Sequence, residues 1–253
     1  MGRFWNQLLL IHKEGYRFIA LGAAFTALLA VLAWPWAWLG AVLTVWCACF
    51  FRDPPRYVPQ AAGLLVSPAD GIVVRVDRAA PPPEMQWRSE PCLRIAVFMN
   101  VFNCHVNRAP AEGVIKTLAY RKGKFFNAEL DKASEHNERQ VVLLQLADAP
   151  AQHVGVVQIA GLVARRIVSF VEEGQRLRRG ERLGLIRFGS RVDLYLPDDA
   201  EPLVGVGQTA VAGETVLARW RGSDKEAARK AAGKTQERSR ETQNHENGQV
   251  RKE

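Results

Sequence analysis

The 253-residue sequence predicts a mainly β domain preceded by an apolar helical hairpin. Three observations predict it. From Phe18 to Phe51 the chain holds 34 consecutive residues without a charge, interrupted by Trp34-Pro35-Trp36. From residue 53 to residue 220, short runs of Val, Ile and Leu alternate with Pro, Gly and Asp, and continuous helical periodicity is scarce. After Trp220 the composition turns to Lys, Arg, Glu, Gln, Ser and Asn.

The apolar stretch comes first in the chain. As a single helix it would be roughly 50 Å long, too long for a hydrocarbon core of about 30 Å; split at Pro35, each half has roughly 17 residues, the lower limit for a span. Residues 1–52 are therefore expected to form a membrane-associated helical hairpin. Arg3, His12, Lys13 and Arg17 precede the stretch and Arg52 and Arg56 follow it, so the positive-inside rule assigns both ends to the cytoplasm. Trp34, Trp36 and Trp38 suit an interface at the turn. A secretory signal fits poorly, because the run is too long and no small-residue cleavage site follows it. The hairpin reads as an anchor, separable from the domain behind it.

Residues 53–220 carry the strand signals. Gly71-Ile-Val-Val-Arg-Val76, Leu93-Arg-Ile-Ala-Val-Phe98, Val141-Val-Leu-Leu-Gln-Leu146 and Val154-Gly-Val-Val-Gln-Ile159 are short β-branched or aliphatic runs, and Pro81-Pro-Pro83 marks a loop. Further on, Ser169-Phe-Val-Glu-Glu-Gly174 followed by Leu177-Arg-Arg-Gly-Glu-Arg-Leu-Gly184 resembles the strand and turn rhythm of lipoyl and biotinyl carrier domains. That resemblance implies a barrel-sandwich architecture. Residues 221–253 have almost no large apolar side chain to offset their ordering entropy and are read as a disordered charged tail.

The net charge of +8 comes without any nucleic-acid-binding motif, so an anionic membrane is the simpler partner and nucleic acid is not expected. The cysteines at 47, 49, 92 and 104 have no Cys-x-x-Cys spacing. Neither a disulfide framework nor a zinc site is indicated, in keeping with a reducing compartment.

The chemistry centres on Phe188-Gly189-Ser190-Arg191, between the apolar runs Leu183-Gly-Leu-Ile-Arg-Phe188 and Val192-Asp-Leu-Tyr-Leu-Pro197. Gly189 has no Cβ to block a strained turn or an approach to its carbonyl, and the Ser190 hydroxyl lies close by. By itself the dipeptide reads more often as a polar hairpin loop. Six further words accompany it: Phe50-Phe-Arg-Asp-Pro-Pro-Arg56, Ser67-Pro-Ala-Asp-Gly71, Phe98-Met-Asn-Val-Phe-Asn-Cys-His-Val-Asn-Arg-Ala-Pro110, Asn127-Ala-Glu-Leu-Asp-Lys-Ala133, Asn137-Glu-Arg139 and Ile159-Ala-Gly-Leu-Val-Ala-Arg-Arg-Ile167. In this order and spacing, over roughly residues 50 to 200, the chain resembles phosphatidylserine decarboxylase proenzymes of the short bacterial and archaeal type.

The resemblance implies a self-processing enzyme that converts phosphatidylserine to phosphatidylethanolamine and carbon dioxide at the cytoplasmic face of the bacterial inner membrane. Ser190 would attack the Gly189 carbonyl, the chain would part between them, and Ser190 would become a pyruvoyl cofactor that binds the substrate amine as a Schiff base. The large chain, 1–189, and the small chain, 190–253, would stay associated, with no metal. Homo-oligomerisation is left open. Asp70 and His105 are the implied bases. On residues alone Asp70-Gly71 reads as an ordinary turn, and His105 divides evenly between structural and catalytic roles. Longer members of the family carry a second histidine where this chain has Arg108, and Leu-Gly-Ser-Thr where it has Phe188-Gly-Ser-Arg191. The division of proton transfers between Asp70 and His105 is open.

Other residues have weaker claims. His136 has no assigned role; His12, His153 and His245 read as surface or membrane-flank positions. Asn137-Glu138-Arg139 is expected to form a buried polar network, and the basic groups at 121–124, 165–166 and 176–179 read equally as phosphate grips and as solvated strand ends. A rival reading, a membrane-tethered carrier modified at Lys132 in Leu130-Asp-Lys-Ala133, is disfavoured by the long interval from Lys132 to Val171-Glu-Glu-Gly174. A third reading is a processing enzyme acting on a related lipid, since no headgroup-reading residue is named by the sequence.

Overall fold

A proline that cannot donate a backbone hydrogen bond divides the apolar stretch. The computed structural model describes residues 10–123, 137–161, 166–187, 190–220 and 222. Helix α1 spans Tyr16–Leu32 and α2 spans Ala37–Phe50, joined by a 3-10 turn over Trp34–Trp36. The Thr26 and Thr44 hydroxyls lie 3.2 Å apart where the helices meet, and each is 2.8 Å from a carbonyl of its own helix, that of Gly22 or Gly40, so one donates across the gap only by giving up its own carbonyl. A Cβ on Gly22 would lie 2.8 Å from Thr44 Oγ1, so a glycine there sets how closely the helices approach. The outward side chains, among them Leu21, Phe25, Leu28, Val31, Val42 and the three tryptophans, are exposed. Lys13–Leu32, which is α1 with the 3-10 turn before it, is long and apolar enough to cross a membrane.

The strands follow in chain order: β1 Leu64–Val66, β2 Gly71–Ala79, β3 Cys92–Met99, β4 Val106–Arg108, β5 Gly113–Arg121, β6 Arg139–Leu146, β7 His153–Ala160, β8 Ile167–Ser169, β9 Arg176–Leu177, β10 Arg182–Ile186, β11 Ser190–Leu196, β12 Ala200–Pro202, β13 Thr209–Ala210 and β14 Val216–Trp220. Eight form one antiparallel sheet in the order β13-β2-β3-β11-β7-β6-β5-β9, which curls into a half-barrel. Two small sheets, β1-β14-β12 and β4-β10-β8, complete the domain. The fold is mainly β behind an apolar helical pair, as the sequence predicts.

The middle strands of the large sheet, β3, β11, β7 and β6, are buried on both faces, which is why they read as nearly continuous apolar runs. On β11, Val192, Leu194 and Leu196 enter the main core with Ile95, Val97, Val142 and Val156. Tyr195 points the other way, into a second cluster with Met85, Val141, Val157 and Ile159, and the period of two sends Arg191 and Asp193 to that side as well. Those two form a fully buried bidentate pair, Arg191 Nε and Nη2 donating to Asp193 Oδ1 and Oδ2 at 2.7 and 2.9 Å.

The hairpin-loop alternative for 188–191 is overturned. Strands β10 and β11 do not pair with each other: β10 lies between β4 and β8, whereas β11 lies between β3 and β7. The segment between them is a crossing from one sheet to another, and β11 begins at Ser190 itself. Phe188 and Gly189 lie outside the described residues.

Where β2 meets β3, a Cβ on Gly71 would lie 2.0 Å from the Phe98 carbonyl oxygen. Gly71→Ala should therefore force the two strands apart and destabilise the chain by about 1–3 kcal/mol. Thermal unfolding of the purified protein checks this; an unchanged melting temperature refutes the close approach.

Candidate active site

Ser190 starts the central strand of the large sheet, paired with Met99 on β3 and Ala160 on β7. Both neighbours are themselves held by buried polar groups. Asn137 Nδ2 donates to the Ala160 carbonyl at 2.7 Å, the Ala160 N–H donates to the Glu138 carbonyl, and Glu138 Oε1 accepts from Ile167 N. On the other side three amides stand in line: Gln140 donates to Gln158 at 3.1 Å, Gln158 to Asn107 at 2.8 Å, and Asn107 Nδ2 contacts Met99 Sδ at 3.5 Å. The Ser190 hydroxyl is buried and, among the described residues, has no hydrogen-bond partner. A desolvated hydroxyl left unpaired costs about 1–3 kcal/mol, an expense that native folds seldom carry without a use for the group.

His105 lies at the other end of the sheet crossing. It directly precedes β4, and its carbonyl accepts from the N–H of Ile186, the last residue of β10 and four before Ser190. The imidazole is fully buried, stacked on Phe50 with ring centroids 4.1 Å apart. Burial holds its pKa down to about 4, opposed by the hydrogen bond to the Asn103 carbonyl and assisted by Arg52. Nδ1 lies 2.9 Å from that carbonyl. An acceptor there requires the proton on Nδ1, which leaves the basic lone pair on Nε2. The loop behind it is pinned by Asn100 and Asn103, whose side chains accept from Phe102 N and Asn100 N.

Asp70, just before β2, has both carboxylate oxygens engaged. Oδ2 accepts from Arg56 at 2.9 Å and Oδ1 from Ala212 N at 2.7 Å. Cys104, next to His105, is within electrostatic reach of both Asp70 and Arg56. Among the described residues, Asp70 makes no hydrogen bond to Ser190 or to His105. Arg108 is committed elsewhere: it donates to Asp53 at 2.7 Å and to the carbonyls of Pro54 and Gly180, and Asp53 also accepts from Arg182.

Among the described residues, the words at 50–56, 67–71 and 98–110 thus meet in space. Residues 50–56 form a strap across the site, with Phe50 on His105, Arg52 donating to the Phe102 carbonyl, Asp53 against Arg108 and Arg56 against Asp70. Sequence reasoning missed the roles of Phe50, Arg56, Asn107 and Gln158. For Arg191 and Asp193 a signal was present, since two residues apart in a strand they share a face. Asn137, Glu138 and Arg139 are buried and bonded, the last to Glu84. The basic group at 176–179 is partly structural: Arg179 donates to the carbonyls of Pro59 and Ala61, and Arg176 pairs with Glu112 on the surface. Lys132, His136 and His245 lie outside the described residues.

A family model described as phosphatidylserine decarboxylase matches residues 43–218. A phosphatidylserine decarboxylase proenzyme of Ruegeria pomeroyi is 56% identical over 208 residues, covering 82% of this chain and 94% of that protein. The chain belongs to the phosphatidylserine decarboxylase family. The family match spans the strap, both candidate bases and Ser190, and begins inside α2, so the end of the hairpin falls within the conserved unit of phosphatidylserine decarboxylases.

If His105 is the base of a family decarboxylase, its depressed pKa sets the pH response. The neutral ring is the active form, so activity should persist as pH falls through 6.5 and fail only toward pH 4. The same group makes folding stability rise with pH between about 4 and 6.5, because the unfolded chain binds the proton more tightly there. A self-cleavage acid limb at pH 6.5, or one unchanged in His105→Ala, contradicts the assignment.

Proposed function

We propose that this chain is made as an inactive precursor, cuts itself between Gly189 and Ser190, and then decarboxylates phosphatidylserine to phosphatidylethanolamine and carbon dioxide. Family membership supports the activity, and the relative's designation as a proenzyme supports self-processing. The observation that carries the assignment to Ser190 is its buried hydroxyl, without a partner among the described residues, at the crossing between two sheets.

In this reading Ser190 Oγ, losing its proton to a base, attacks the Gly189 carbonyl carbon; the peptide C–N bond breaks, leaving an ester and a free amine on Ser190. Loss of the Ser190 Cα proton then expels Gly189 as a carboxylate from Cβ. The resulting enamine takes up water and releases ammonia, leaving a ketone at the new N-terminus. A pyruvoyl group at that position supplies the electron sink that loss of carbon dioxide from an α-amino acid requires. The residues present fit it: a small buried position, a neutral imidazole at His105, whose backbone is bonded to Ile186 four residues before Ser190, and a carboxylate at Asp70 oriented by Arg56 and Ala212 N. His105 and Asp70 are the proposed bases, and the order of their use is for the variants to decide.

The proposed organisation is a hairpin over 1–52, a decarboxylase domain over 53–220 and a charged tail over 221–253, with the 1–189 and 190–253 chains remaining together. Their cohesion follows from β11 lying between β3 and β7 in the middle of the sheet. One long apolar helix supports membrane association. The basic flanks favour the cytoplasmic face of a bacterial inner membrane, where anionic phospholipid is present.

Ser190→Ala should yield a single uncut chain that is inactive and at least as stable as the precursor, since it removes a buried unpaired hydroxyl. Intact mass reads the cut, and borohydride reduction with phosphatidylserine should fix the substrate amine on residue 190 of the small chain. Decarboxylation by an intact chain, or label on Lys132, overturns the reading. Asp70→Asn should slow cutting or turnover by more than about tenfold.

A further inference from the structure

The base of the hairpin does more than support an anchor. Glu14, in the 3-10 turn Lys13–Gly15 before α1, accepts a 2.7 Å hydrogen bond from Arg187, the residue that follows β10 and precedes Gly189 by two. Their side chains are only 29% and 20% exposed, so this ion pair is shielded from water on most sides. The guanidinium also lies over the Phe18 ring of α1, 5.2 Å from its centroid, and the Arg187 N–H donates to the Arg166 carbonyl. Glu14 is held just as firmly. Its N–H donates to His12 Nδ1, His12 stacks on Phe170 of the β-domain at 4.5 Å, and the backbone of residues 10–12 is bonded to Phe51 and Asp53.

We propose that the Glu14–Arg187 pair is a positioning contact for chain cleavage, which fixes the upstream end of the cut segment to the base of the hairpin. The inference rests on Ser190 being the self-cleaving residue. The downstream end is already fixed, because Ser190 is paired on both sides within the sheet. Attack within a short segment requires both ends to be held, since hydroxyl and carbonyl must meet in a near-attack geometry, and small displacements there cost orders of magnitude in rate. The upstream end is Arg187, and its side chain is bound to the hairpin rather than to the β-domain that carries it. Hairpin docking is thereby a condition for efficient self-cleavage, and the anchor is not separable in function as the sequence suggests.

An ordinary surface ion pair would contribute only stability of about 0–1 kcal/mol, with no effect specific to cleavage. The two roles separate experimentally. Full-length Glu14→Gln, Arg187→Met and the reversed pair Glu14→Arg/Arg187→Glu are synthesised in the presence of phospholipid vesicles, and the appearance of the 190–253 fragment is timed by mass spectrometry. Melting temperatures are taken on the same variants in an uncut Ser190→Ala background. Each single variant should cut at least about tenfold more slowly with its melting temperature nearly unchanged, and the reversed pair should recover most of the rate. Parent-like cutting by both single variants, slowing that only tracks lost stability, or failure of the reversed pair to recover each overturns the proposal while leaving Ser190 in place. A parent chain that yields no 190–253 fragment overturns the Ser190 reading and this proposal together.

Discussion

The arrangement depends on one topological constraint: the chain must pass from β10 in a small sheet to β11 in the middle of the large one within residues 187–189. A hairpin between paired strands would have set that segment at a solvated edge. Here both flanking strands are instead committed to other partners, β10 to β4 and β8 and β11 to β3 and β7. Ser190 consequently enters the structure as a strand residue with its hydroxyl buried, and His105 reaches the same crossing because β4 pairs with β10. Strand pairing thus ties the backbone of the candidate base to the end of the strand that precedes the candidate nucleophile.

Electrostatics follows from that burial. Among the described residues, most of the charges near the crossing are paired: Arg108 and the half-exposed Arg182 share Asp53, Arg56 has Asp70, Arg191 has Asp193, and Arg139 has Glu84. Breaking one such pair would strand an ion in a poorly solvated interior at several kcal/mol. For Asp193 burial still outweighs Arg191 and raises the carboxyl pKa. Two of the three candidate site residues, His105 and Ser190, are treated differently, whereas the third, Asp70, is one of the paired ions. His105 is kept neutral by burial and Ser190 carries no charge, so neither requires a counter-ion that would compete for a proton in transit. Paired ions, Asp70 among them, form the frame, and the neutral His105 and Ser190 stand beside it.

Much of this was legible in the sequence, and the exceptions share a cause. Strands β3, β6, β7 and β11 coincide closely with apolar runs, because strands buried on both faces need side chains of one kind on both. Pro35 announced the hairpin turn for an equally local reason. Ser190, His105 and Asp70 were found through their words, but their surroundings were not. Phe50 on His105, Arg56 on Asp70 and Glu14 on Arg187 join positions 55, 14 and 173 residues apart, and no local pattern specifies which distant ring or charge will be met. The crossing at 187–189 escaped for a related reason: two apolar runs with a glycine between them look the same whether they pair with each other or with strands far away.

The hairpin's dimensions connect the membrane to the chemistry. Helix α1 has 17 residues, about 25 Å, against a hydrocarbon core of about 30 Å. Inserted turn first, it would bring Trp34 and Trp36 deep into the bilayer and leave Lys13, Arg17 and Arg52 at the headgroup level. Phe50, the last residue of α2, is already stacked on His105, so no linker separates the apolar hairpin from the candidate site. An anchor on a flexible tether would let the domain sample many heights above the surface. With no slack between Phe50 and His105, the depth of insertion and the height of the site become a single quantity, which suits a reaction whose carboxylate and amine belong to a lipid that cannot leave the interface.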